Sequence, residues 1–170
     1  MNKLFALSLA AATSAVFLAQ PVMSEDSTNI VVTPAASHTQ FFESVSRDLD
    51  RQLNRPSAVD RHVYGDGITI VRFTRSGGKT DDVTIYRASG KRSLDRVAMR
   101  AVGRLRSLDN APAGIGPDQV YQANIIFASD DRTAKKLGEQ LAQEEAARLA
   151  SGPEERTILA FGSAAASPSS

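Results

Sequence analysis

GITIVRFTRSGGKTDDVTIYRASGKRSLDRVAMRAV (residues 67–102) reads as a β-hairpin that runs into a helix. Residues 68–74 and 82–88 are rich in β-branched and aromatic side chains, which suit a pleated, half-buried surface. Between them Ser76, Gly77, Gly78 and Lys79 supply turn chemistry, because glycine takes the positive φ angles of a tight hairpin. Ile68 and Ile70 point to one side of the first strand and Val71 and Phe73 to the other, so both faces are expected to be partly covered. In the second strand Val83 and Ile85 share a face, with Thr84 and Tyr86 opposite. Ser89-Gly90 then turns the chain off the sheet. Ser93 is placed to cap the next helix, and Asp95 puts a negative charge in its first turn, where the helix dipole favours it. Leu94, Val97, Ala98, Ala101, Leu105 and Leu108 form a core-facing stripe, its alanines letting the helix sit close to the hairpin.

Working outward, Ser37 and Gln40 fit a capping box, and Phe41, Val45, Leu49 and Leu53 make an apolar stripe that Pro56 stops. After the loop at 111–117, residues 120–128 read as a third strand with Tyr121, Ala123, Ile125 and Phe127 on one face. From Asp131 to Gly152-Pro153 the pattern is helical. Ala134, Leu137, Leu141 and Leu149 mark a weak stripe, with Lys135, Glu139, Glu144, Glu145 and Arg148 expected to face water. Residues 157–161 are a brief apolar run, and 162–170 are small, polar and expected to be disordered. This order predicts an α+β domain: a small antiparallel three-stranded sheet with helices packed on one face, plus a C-terminal helical extension.

The chain has 170 residues, room for one domain with accessory segments. Lys3, an apolar run and the small residues before Glu25 read as a signal peptide over 1–24, followed by a linker at 25–36. The domain proper is then 37–129, the helical extension 130–161 and the tail 162–170. A periplasmic product is expected. Membrane contact would follow only if the N-terminal segment stayed uncleaved as an inner-membrane anchor. Cleavage would remove Lys3 from a total of 20 bases, leaving them equal to the 19 acids. That balance argues against nucleic-acid binding, which calls for a basic excess. There are no cysteines, so an exported chain would rely on its aliphatic core.

Catalytic chemistry is hard to assemble. The histidines, His38 and His62, both fall in segments read as surface, and nothing brings either to a nucleophile such as Ser89. Asp81-Asp82 and Asp130-Asp131 read as solvated turns rather than calcium ligands. Neither Gly65-Asp66-Gly67 nor Ser76-Gly77-Gly78 leads from a strand into a helix, so neither is a phosphate loop. No enzyme activity, cofactor or metal is expected. Arg72 reads as a charge guarding a strand edge. Arg92, Arg96, Arg100 and Arg104 lie four apart and form a helical ridge. This is either a solvated face or a site for anionic lipid, polysaccharide or an acidic partner.

The run GITIVRFT, GG, DVTIYRASG and SLDRVAMRAV resembles the C-terminal domain of the TonB family, and with flanking elements the resemblance covers residues 40–128. Ala88 stands where that family usually has the first serine of Ser-Ser-Gly. The resemblance implies a non-enzymatic module that binds outer-membrane transporters in energy-dependent transport. The working edge is expected on the third strand, at Val120, Tyr121, Gln122, Ala123, Asn124 and Ile125. There an extended segment of a transporter or other envelope protein would add as a further strand, or a second copy would pair to make a homodimer.

Overall fold

The computed structural model describes residues 34–55 and 65–166. The expected signal peptide, the linker up to residue 33, His62 and the chain after Ala166 lie outside the described residues. Among the described residues no helix is long and apolar enough to cross a membrane.

The first helix, α1 (Pro34–Leu53), begins ahead of the expected Ser37 start and buries Phe41, Val45 and Leu49, the stripe anticipated from their spacing of four. Strands β1 (Gly67–Ser76) and β2 (Lys79–Arg87) form the hairpin. Ser76 pairs with Lys79, and Gly77 and Gly78 have φ of 53° and 75°. Two consecutive positive φ angles match the right-handed twist of the strands they join.

Helix α2 (Arg92–Val102) is shorter than its apolar stripe suggested. Leu105 and Leu108 are buried as expected, but the turn after Gly103 and a 3-10 turn (Ser107–Asn110) deliver them. Ser93 lies inside the helix, and Lys91 holds the capping position without a side-chain hydrogen bond. The anchoring group is Asp95. Its carboxylate is buried and accepts from the Ser89 N–H (2.8 Å) and the Thr69 hydroxyl (3.0 Å), tying the helix start to both the Ser-Gly turn and β1.

Strand β3 (Tyr121–Ala128) leads into α3 (Asp131–Ser151), the short α4 (Pro153–Thr157) and β4 (Leu159–Ala166). The sheet runs β2-β1-β3-β4. The β1 strand is antiparallel to both neighbours, whereas β4 is parallel to β3 over eight residue pairs. The expected three-stranded antiparallel sheet is therefore a four-stranded mixed one, and residues 162–166 belong to β4 rather than to a disordered tail. Parallel neighbours need a long crossover between them. The extension α3–α4 is that crossover.

Strand alternation sorts the rest. Val71, Phe73, Tyr121, Ala123, Ile125, Phe127 and Phe161 meet α1 and α2 in one buried cluster. Phe73 stacks on Tyr121 at 5.3 Å between ring centres, and Phe161 meets Phe73 edge-on at 6.1 Å. Buried Ile68, Ile70, Gln122 and Asn124 occupy the alternate positions, where α3 crosses and Glu145 reaches Gln122. Helices thus cover both faces, not one. Two-sided covering is what the apolar residues at both parities of β1 anticipated.

Candidate functional site

The expected edge residues Val120, Tyr121, Gln122, Ala123, Asn124 and Ile125 lie in or beside the sheet's interior, between β1 and β4. Tyr121, Gln122, Ala123, Asn124 and Ile125 are all buried. Burial pushes the Tyr121 phenol up, against the pull of the Arg75 guanidinium. No incoming strand can reach β3 while β4 occupies its outer side. The true edges among the described residues are β2 and β4.

These two edges differ physically. The pairing of β2 with β1 slips in register twice, the charged Asp81 and Asp82 are exposed, and Asp82 takes a φ of 45°. Bulges and charges of this kind blunt an edge against pairing. The β4 strand, LAFGSAAA, has no charge, no proline and no register shift against β3. Its orientation follows from one bond: the Leu159 N–H donates to the Val120 carbonyl at 3.1 Å. In a parallel ladder the N–H and C=O of one residue point the same way and alternate along the strand. Residues 159, 161, 163 and 165 therefore bond to β3, and the backbone groups of 160, 162, 164 and 166 face outward.

A polar cluster holds β4 in place. Arg72 of β1 grips Glu155 of α4 through two hydrogen bonds (3.0 and 2.5 Å), donates to Gln122 Oε1 (3.0 Å) and lies 3.5 Å over the Tyr86 ring. Gln122 in turn donates to Glu145 (2.6 Å) and Asn124 (3.0 Å). Arg148 donates to Glu145 (3.0 Å) and to the Glu155 carbonyl, and Arg87 pairs with Glu144 at 3.0 Å. Arg72 is thus no edge guard, since β1 is interior, and Glu144, Glu145 and Arg148 turn to the sheet rather than to water. Lys135 and Glu139 are exposed as expected, and so is Leu149 of the anticipated apolar stripe. The Arg72 bonds hold the Glu155 carboxyl below its ordinary value against the opposing effect of burial.

A cleft of about 360 Å³ opens beside this cluster, lined by Ile70, Tyr86, Arg87, Glu144, Glu145, Ala147, Arg148, Ser151 and Glu155. Its charges are paired with one another and join α3 and α4 to the sheet. His38 is half-buried on α1, and no cluster of metal-ligating residues occurs among the described residues. Asp130 caps α3 by accepting from the Thr133 N–H (2.9 Å), which keeps its carboxyl acidic. Asp81 and Asp82 are exposed at the β2 edge.

The arginine ridge is divided. Arg92, Arg96 and Arg100 lie on α2, with Arg92 and Arg96 exposed and Arg100 half-buried. Arg104 falls in the turn beyond the helix and leaves their line.

Sequence reasoning also missed Asp48 on α1, which accepts from the N–H groups of Arg106 (2.7 Å) and Ser107 (3.0 Å) and so caps the 3-10 turn. Burial works to raise its carboxyl, yet the donors from Arg106, Gln52 and Ser107 outweigh that and hold it below 3.8. Its only sequence signal was an acidic residue flanked by buried positions of the helical stripe. No protein-family model, curated protein or solved structure matches this chain.

Proposed function

We propose that the protein is a non-enzymatic periplasmic binding module of the TonB C-terminal kind, which accepts an extended segment of another envelope protein at the outer edge of β4. The single observation that carries this reading is the contrast between edges: β2 is bulged and charged, whereas β4 is regular and uncharged along its length. Unpaired N–H and C=O groups on such an edge favour pairing with another chain. The antiparallel order of β2, β1 and β3, with the Leu-Asp helix docked on it, supports the family resemblance. By that resemblance the partner is an outer-membrane transporter. The edge has moved outward by one strand.

The test separates outward from inward backbone groups. Ala164→Pro and Ala166→Pro each remove an outward donor and leave the ladder to β3 intact, whereas Ser163→Pro removes an inward one. Crosslinked partners recovered from envelope extracts should disappear with the outward variants while their melts stay near the parent's. Retention of every partner by both outward variants would sink the proposal.

A further inference from the structure

We propose that the basic pocket between the end of α1, the hairpin and the turn after α2 binds a multiply charged phosphoryl group. This cleft, of about 370 Å³, is lined by Gln52, Arg55, Lys79, Thr80 and residues 103–106. Four of these, Arg55, Lys79, Arg104 and Arg106, are cationic, and no carboxylate among the described residues lines it. None of the four makes a side-chain ion pair among the described residues. They come from three separated parts of the chain, which only the fold brings together.

The walls are fixed although the side chains are exposed. Asp48 clamps the Arg106 and Ser107 N–H groups, and the backbone of 103–105 is bonded back onto α2 through Met99, Ala101 and Val102. The hairpin tip packs against Asp109, since a Cβ at Gly78 would strike that carboxylate, and this sets Lys79 at the pocket's rim. Cations near helix C-termini also complement the helix dipole. That effect accounts for Arg55 and Arg104, which follow α1 and α2, but Lys79 follows a hairpin turn and Arg106 lies beyond the turn.

The chemistry selects the ligand class. Three guanidinium groups present planar, paired donors that match the oxygens of phosphate, and a lysine adds a point charge. Four positive charges without an ion-pair partner among the described residues exceed what one carboxylate can neutralise but suit a dianion or a diphosphate. A volume of about 370 Å³ falls within the range of small-molecule sites and admits a phosphoryl group with part of its carrier. This site is independent of strand addition at β4, which lies elsewhere on the sheet. It takes Arg104 from the sequence's ridge and replaces Arg92, Arg96 and Arg100 with residues distant in sequence.

The experiment titrates inorganic pyrophosphate, and in a second arm phosphatidylglycerol vesicles, onto the parent, onto Arg104→Gln with Arg106→Gln, and onto Arg92→Gln with Arg96→Gln. Pyrophosphate or vesicle binding should weaken at least about tenfold in the pocket variant, as two charge-assisted contacts are lost, and hold in the helix variant. Pocket-dependent vesicle binding assigns a lipid headgroup as the source, and pocket-dependent pyrophosphate binding alone assigns a free phosphoryl compound. Equal weakening in both variants would mean diffuse charge attraction and overturn the site. So would absence of parental binding to either probe at low salt. Thermal melts of both variants matching the parent keep a folding defect from mimicking the result.

Discussion

Arg72 and Glu155, 83 residues apart in sequence, are joined by two hydrogen bonds of 3.0 and 2.5 Å that fasten the last helix and strand to the first strand of the hairpin. Both side chains are largely covered, at 17% and 26% exposure. Removing one partner leaves a charge facing a cleft without its counterion. Glu155→Gln should therefore cost about 2 kcal/mol in urea denaturation at neutral pH, in line with a charge-assisted pair. Because the Glu155 carboxyl is held below its ordinary value of 4.5, its contribution is complete above that pH and is lost as pH falls through the lowered value. The difference between parent and variant should accordingly narrow below about pH 4.5. A difference that stays constant into acid would contradict the pairing.

Asp48 is a cap supplied across the fold, from α1 to the 3-10 turn. Asp48→Ala orphans the Arg106 and Ser107 N–H groups and is expected to destabilise by about 2–3 kcal/mol. Its carboxyl is held below 3.8, so this contribution too is present above that pH and fades as pH falls further. Calorimetric melts at neutral pH and near pH 3 check both the size and the trend. Equal melting of parent and variant at neutral pH would show that the clamp carries no stability.

Phe161 is the apolar anchor of β4, buried against Phe73. Phe161→Ala should lose about 3–4 kcal/mol, the usual cost of emptying a large buried aromatic site. It should also loosen β4 and uncover the outer side of β3. Hydrogen exchange of β3 amides, measured on the variant, should rise with the loss of stability. Unchanged protection in β3 would show that β4 is held by its ladder and polar cluster alone.

The hairpin offers a graded test within one turn. Gly77 has positive φ and open space around its α-carbon, whereas Gly78 has positive φ and Asp109 against it. Gly77→Ala should cost about 1 kcal/mol through backbone strain alone, and Gly78→Ala clearly more. Thermal melts of the two variants give the order, and a reversed order would place the collision elsewhere.

Local chemistry in the sequence determined the hairpin, the two helices of the packed face and the alternation of β3. Gly77-Gly78 dictates its turn from φ alone, and Phe41, Val45 and Leu49 dictate a buried stripe from their spacing. The apolar residues on both sides of β1 pointed to partial cover on both faces, although helices were expected on one face alone. What covers the other face was decided only in three dimensions. Helix α3 docks through Glu144, Glu145 and Arg148, and hydrophobic periodicity is blind to a face built from ion pairs. Beyond Leu159 and Phe161, strand β4 is a run of small residues with little pattern of its own, and it is a strand because β3 offers it a ladder of eight partners. That ladder turned the expected edge at residues 120–125 into the interior. The basic pocket was hidden for the same reason, since Arg55, Lys79, Arg104 and Arg106 share no sequence period and meet only when the hairpin, α1 and α2 have packed.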